Sequence, residues 1–258
     1  MSAAADLQTQ LAALAPGWCV RVVPTVDSTN SALLRQAQGG DLHPTLLLAD
    51  QQTAGRGRLG RRWVSTDARQ ALTFSLGLPL APHDWSGLSL VIGVVLAESM
   101  HPQVQLKWPN DLYWQGRKLG GILIETCTAA SLPQGRYVVV GVGINLLPPP
   151  AVNGDVAAAC LHECSGDPSR ATLLARLLPP LMCALKDFAD QGFAPWQSRF
   201  AARDALRGLE IAVSDGRCGQ ALGVAQDGSL RLDTAAGEVH IRSGELSLRP
   251  RPQALVAG

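Results

Sequence analysis

No stretch of the sequence reaches the ~18 consecutive apolar residues that a membrane-spanning helix needs. Charge is scarce too: 17% of residues are charged and the net charge is +1. A balance so close to zero argues against a broad nucleic-acid or polyanion surface, but leaves room for a local basic loop. The N-terminus, Met1-Ser2-Ala3-Ala4-Ala5-Asp6, lacks the basic and apolar regions of a secretory signal. The six cysteines (Cys19, Cys127, Cys160, Cys164, Cys183 and Cys218) form no disulfide framework, so a reducing, cytoplasmic setting is expected. Cys160-x-His162-Glu163-Cys164 lacks the second half of a structural zinc site. His43, His83, His101 and His240 have no nucleophile beside them, so a catalytic triad is unsupported. Internal repeats are absent, and the only low-complexity stretch is Pro148-Pro149-Pro150.

What is present is a globular composition, 47% hydrophobic over 258 residues, enough for one or two domains. Leu7, Leu11 and Leu14 lie at helical spacing. Cys19 to Val23 reads as a strand. Asp27-Ser28-Thr29-Asn30 then reads as a helix N-terminus, because short oxygen-bearing side chains accept from the free N–H groups of a first turn. Gly39-Gly40 ends that helix. Strands are expected at Thr45–Ala49, Ala71–Leu78 and Tyr137–Leu146, and a buried helix at Gly87–Glu98. Residues from about Val156 to Phe200 read as helices, with a leucine stripe from Leu173 to Leu185 broken by Pro179-Pro180. From Ala205 onward the character changes. Leu209–Val213, Cys218–Ala225, Leu230–Leu232, Val239–Ile241 and Leu246–Leu248 are short strands punctuated by Asp215-Gly216, Asp227-Gly228 and Ala236-Gly237, the pattern of a small β-barrel.

Two segments carry chemistry. Gln51 to Trp63 has no apolar period and reads as a loop. Its Gly55-x-Gly57-x-x-Gly60 matches a dinucleotide fingerprint only formally. No helix opens at the glycines, and no acidic residue follows about twenty positions on. It is not a P-loop either, since no Gly-Lys-Ser/Thr follows. Arg56, Arg58, Arg61 and Arg62 alternate with glycines, so the loop is expected to be self-repelling and to order around an anion such as phosphate or carboxylate. Trp63 offers either a flat face for a base or a buried core side chain. The second segment is Lys107-Trp108-Pro109-Asn110-Asp111-Leu112-Tyr113, closed by Lys118-Leu119-Gly120-Gly121. Flanking apolar residues make it strand, turn, strand, with Gln115-Gly116 at the hairpin tip. Gly120 and Gly121 allow close approach to the backbone. Taken alone, it is equally readable as an ordinary hairpin with solvated lysines.

Together these pieces resemble the biotin protein ligases. The stretches that carry the resemblance, in the family's order, are Asp27-Ser28-Thr29-Asn30, Gln52 to Trp63, Lys107 to Asp111, Lys118 to Glu125 and Gly141-Val142-Gly143-Ile144-Asn145. Gly223 to Leu248, with Gly244-Glu245, resembles the family's SH3-like barrel. The resemblance covers roughly residues 20 to 250, and the combination is far more specific than any one piece. It implies an α+β fold with a mixed sheet flanked by helices, of the class II synthetase and biotin/lipoyl ligase kind. A catalytic domain would span residues 1–204 and a barrel 205–258. Only about twenty residues precede the matching pattern, so the resemblance implies no winged helix-turn-helix and no DNA partner.

The implied reaction joins biotin and ATP into biotinyl-5′-AMP. A lysine of a biotin carboxyl carrier protein then attacks this anhydride. By the same resemblance Lys118, Arg58, Lys107 and Asp111 are the catalytic candidates. Ser28, Thr29, Asn30, Gln52, Arg56, Gly57, Arg58, Lys118, Gly120 and Gly121 are candidates for binding biotin. Arg56, Arg58, Arg61, Trp63, Lys107, Asn110 and Asn145 are candidates for binding nucleotide. Asp111 is the candidate for organising Mg²⁺, which would bridge phosphate oxygens more than it is caged by protein. Asp27-Ser28-Thr29-Asn30 also reads as a plain helix cap, and Asn145 as a turn former. Leu59 stands where many relatives carry another arginine. The rival readings are a lipoate or octanoyl transferase of the same fold and a nucleic-acid-binding module using the arginine loop.

Overall fold

In the computed structural model the residues described are 3–64, 67–129, 131–132, 135–149, 158–166, 169–242 and 248–250. The chain opens with α1 (Ala3–Leu14), β1 (Cys19–Val26), α2 (Thr29–Gln38), β2 (Thr45–Gln52) and β3 (Ala71–Leu80). Next come α3 (Leu88–Met100), β4 (Gln105–Lys107), β5 (Asp111–Trp114), β6 (Arg117–Cys127) and β7 (Arg136–Asn145). The helices α4 (His162–Ser165), α5 (Arg170–Gln191) and α6 (Gln197–Ala201) follow. The chain closes with β8 (Glu210–Val213), β9 (Cys218–Val224), β10 (Leu230–Thr234), β11 (Gly237–Ile241) and β12 (Leu248–Pro250).

The first seven strands form one mixed sheet in the order β1-β2-β3-β7-β6-β5-β4, with β1 and β2 parallel and the remaining pairs antiparallel. Pro24 sits on the edge strand β1, where its missing N–H breaks no interior ladder. Alternation along the strands gives the sheet two different faces. One face presents Leu46, Leu48, Leu72, Phe74, Leu76, Val138, Val140, Val142 and Ile144 to α3 and α5, and these residues belong to the main core. The other presents Leu47 and Val139 to Leu33 and Ala37 of α2, and over much of its remaining area its residues are small.

The long helix departs from expectation. Pro179 and Pro180 do not break the leucine stripe: α5 runs through both as one helix of 22 residues. Each interior proline costs ~3 kcal/mol. Leu173, Leu174, Leu177, Leu178, Leu181, Leu185 and Phe188 are all buried along it, and each such side chain returns ~1.5–3 kcal/mol. Packing therefore outweighs the lost hydrogen bonds.

The C-terminal strands form a separate antiparallel sheet in the order β11-β10-β9-β8-β12, consistent with a small barrel. No β11–β12 pairing that would close it is present among the described residues. Of the expected features, Gly244-Glu245, Leu246, Ser247, Pro150, Val156 and Ala157 lie outside the described residues. The two sheets touch beside the β4–β5 turn, where the indole N–H of Trp108 donates to the Gly228 carbonyl at 2.9 Å.

Candidate active site

The site lies on the small-residue face of the large sheet. Register places Ala49, Thr73, Gly143 and Gly121 side by side across four strands, with Asp111 next to Gly121. One level along, Leu47, Ser75, Gly141 and Leu123 make a second row. Four of these eight residues are glycine or alanine and two are short hydroxyls, so the face forms a trough. The glycines are there for clearance. A Cβ on Gly141 would fall 2.2 Å from Asn30 Oδ1 and one on Gly143 2.5 Å from the Trp63 ring; Gly120 lies on the core side, where a Cβ would fall 2.5 Å from the Gly143 carbonyl oxygen.

At one end of the trough stands the start of α2. Ser28 caps this helix, its hydroxyl accepting from the Ser31 N–H at 3.4 Å, as expected for a short oxygen side chain in extended backbone. Gln52 Oε1 accepts from Thr29 N at 2.7 Å and from Thr29 Oγ1 at 3.1 Å. Ser75 Oγ lies 2.7 Å from Thr29 Oγ1 and 2.6 Å from Asn30 Oδ1, one hydroxyl proton shared between two acceptors. Asn30 Nδ2 donates to the Leu123 carbonyl and to Glu125 Oε2. Ser28, Thr29, Asn30, Gln52 and Ser75 are all buried, so this end is a rigid polar wall fixed by its own bonds.

At the other end stand the charges. Lys107 and Asp111 face one another across β4 and β5, and a register shift after Leu112 brings Lys118 opposite Tyr113. Lys118 Nζ donates to Asp111 Oδ1 at 2.6 Å, and Lys107 Nζ to the Tyr113 hydroxyl at 2.9 Å. Gly121 leaves room for that pair: a Cβ there would sit 3.5 Å from both Asp111 Oδ1 and Lys118 Nζ. Asn110 Nδ2 donates to the Ile122 carbonyl and so ties the turn to β6.

The arginine loop crosses above and is more ordered than charge repulsion alone implies. Arg58–Gly60 makes one 3₁₀ turn, Gly57 N donates to Arg61 O, and Arg56 bridges to Arg62. Arg56 owes its position to a counter-charge, since its Nη2 lies 2.8 Å from both carboxylate oxygens of Glu125. Arg58 is half-buried; burial pulls its guanidinium down from its usual value, opposed by the negative charge of Asp111 and reinforced by Arg61. Arg58 therefore belongs with Asp111 and Lys118, whereas Arg61 and Arg62 stay exposed. Trp63 is half-buried, its ring against Gly143 on the floor of the trough. Asn145 lies apart, at the end of β7, its Nδ2 donating to the Ala159 carbonyl at 3.0 Å.

Residues 22–145 match the model of the biotin/lipoate A/B protein ligase family. Over 249 residues the chain is 35% identical to the bifunctional ligase/repressor BirA of Escherichia coli, a match covering 89% of this chain and 76% of that one. It is 32% identical to the biotin–[acetyl-CoA-carboxylase] ligase of Mycobacterium tuberculosis, with 93% of each chain covered. The chain belongs to the biotin protein ligases. Its fold matches the solved ligase of Aquifex aeolicus in complex with biotin and ATP, with a TM-score of 0.76 and 30% identity over 90% of this chain and 99% of that one. In this ligase, then, the trough and the charged hairpin are the place to seek two substrates.

Asp111 is a weak candidate for a metal. Its Oδ1 is held by Lys118, and among the described residues no three His, Cys, Asp or Glu side chains converge. These donors do not fit a resident metal site. The Cys160–Cys164 cluster spends its thiols locally: Cys160 Sγ donates to Glu163 and Cys164 Sγ to the Leu161 carbonyl. Thr73, Ser75, Tyr113, Glu125, Gly141 and Gly143 join the site only through the fold. Alternation of small residues within the apolar strands β3 and β7 was the available signal.

Proposed function

We propose that this ligase attaches biotin to a lysine of the biotin carboxyl carrier protein of acetyl-CoA carboxylase, with the work divided along the trough. The neutral polar wall of Thr29, Asn30, Gln52 and Ser28 faces the uncharged ring of biotin. Gly121 lets the acid lie close to the sheet, whereas Gly120, in register with Leu112 and Ile144, faces the core side. Lys118, Arg58 and Lys107 serve the reacting end.

The chemistry needs that separation. A carboxylate oxygen must attack the α-phosphate of ATP, and both groups are anionic. Lys118 and Arg58 offset this repulsion and the charge that spreads as pyrophosphate leaves. Asp111 orients Lys118, and Tyr113 orients Lys107. Arg56, Gly57 and Arg61 close over the mixed anhydride and exclude water. Asn110 and Asn145 position the turn and the strand end beside the nucleotide. In the second step the carrier's lysine amine attacks the acyl carbonyl, an amide forms, AMP departs and the amine loses its proton. Residues from 205 onward form a second unit that braces the hairpin through Trp108.

The observation that carries this reading is the 2.6 Å contact of Lys118 with Asp111 at one end of a trough whose other end is lined by Thr29, Gln52 and Asn30, with the nearby charges of Glu125 and Arg56 paired to each other. The test is to mix the protein with biotin, ATP and Mg²⁺ and look for the mass of biotinyl-adenylate. Lipoate in place of biotin should give no adenylate, and an unchanged yield with lipoate would favour the rival of the same fold.

A further inference from the structure

Two buried polar atoms near Gly143 have no hydrogen-bond partner among the described residues: Thr73 Oγ1 and Trp63 Nε1. Thr73 is 3% exposed. It is the register partner of Gly143 on one side and Ala49 on the other, so its side chain lies on the trough floor. Trp63 lies with its ring against the same Gly143. An orphaned buried hydroxyl is a standing cost to the fold. The contrast within β3 is sharp: Ser75, two residues on and on the same face, is fully engaged with Thr29 and Asn30. Thr73 is thus the one floor hydroxyl left unsatisfied among the described residues.

The chemistry of the two orphans narrows the ligand. An indole N–H can only donate, and a threonine hydroxyl can donate or accept. Neither carries charge, and only Gly143 and Gly121 stand between Thr73 and the Asp111–Lys118 pair at the end of its row. Lys118 and Arg58 lie beyond, around Asp111, and Arg56 is already paired with Glu125. A phosphate would gather at those cations, whereas an uncharged polar atom suits the orphans. We propose that Thr73 hydrogen-bonds the uncharged ring of the bound acid, with Trp63 Nε1 as a second donor, and so sets affinity for the acid and not for the nucleotide. This rests on the ligase reading above.

The test uses Thr73→Val, which keeps the shape and removes the hydroxyl, with Thr73→Ser as the conservative control. Biotin binding without nucleotide is measured by calorimetry, Michaelis constants in pyrophosphate exchange, and melting temperature without ligand. Thr73→Val should weaken biotin binding by about five- to thirty-fold, the loss expected for one buried hydrogen bond. The KM for ATP should stay within about two-fold, and the ligand-free melting temperature should hold or rise because an orphan has been removed. Thr73→Ser should retain affinity within about three-fold. Biotin affinity unchanged in Thr73→Val, or a ligand-free protein that melts lower, overturns the proposal. A wild-type protein that makes no biotinyl-adenylate at all overturns the ligase reading instead, so the two failures are distinguishable.

Discussion

Lys118 and Asp111 meet at 2.6 Å over the gap left by Gly121, with side chains 41% and 20% exposed. Exposed pairs of this kind contribute ~0–1 kcal/mol to stability, so the pair is better explained by what it does to the lysine than by what it adds to the fold. Asp111→Asn keeps the shape and weakens the hold on Nζ. Biotin-dependent pyrophosphate exchange should fall by about ten- to a hundred-fold, while the denaturant midpoint changes by less than about 1 kcal/mol equivalent. Unfolding titrations beside the exchange assay separate the two effects.

Gly120 and Gly121 are neighbours with opposite needs. Alanine at 120 drives a methyl toward a backbone carbonyl 2.5 Å away inside the β6–β7 ladder, whereas alanine at 121 meets only side-chain ends at 3.5 Å. Gly120→Ala should cost about 1–3 kcal/mol of stability. Gly121→Ala should leave the unfolding midpoint within about 0.5 kcal/mol and lower adenylate formation, because its methyl enters the trough. Chemical denaturation and exchange kinetics on both variants check the contrast.

The sequence carried the hairpin and the order of elements because their determinants are local. Pro109, Asn110 and Gln115-Gly116 punctuate apolar runs, and the structure turns where they do. What it hid were pairings made only by folding. Glu125 neutralises Arg56 across 69 residues and Ser75 meets Thr29 across 46, and neither spacing leaves a mark in a linear pattern. Thr73 and Ser75 read as plain strand residues until register set them beside Gly143 and Gly141. The continuity of α5 through Pro179-Pro180 was hidden for the opposite reason: a strong local breaker yields to burial that only the packed helices supply.

Glu125 holds Asn30 and Arg56 at once, through Oε2 to Asn30 Nδ2 at 2.9 Å and through both oxygens to Arg56. Glu125→Ala should therefore loosen the polar wall and the arginine loop together. Biotin affinity should drop about three- to ten-fold with about 1 kcal/mol of stability lost. Calorimetry and urea titration measure both, and rapid proteolysis near the loop would report its release.

Burial raises the carboxyl of Asp204 above its ordinary range; backbone donors and the Arg207 charge oppose this, and Oδ1 accepts from the Leu206 N–H. A raised folded-state value means the native state holds the proton more tightly. The contribution to stability is present at low pH and is lost as pH rises through the folded value. Asp204→Asn removes that charge while keeping the oxygen that accepts from Leu206. Its melting temperature relative to wild type should rise between about pH 4 and pH 7. A difference that is flat across this range would remove Asp204 from the account.

The central claim is that cations at one end of a neutral trough let two anions react. Lys118→Ala tests it most directly when pyrophosphate exchange and nucleotide-free biotin affinity are measured on the same preparation. The exchange rate should fall by at least about a hundred-fold while biotin affinity changes by less than about ten-fold. Exchange at a near wild-type rate would contradict the claim.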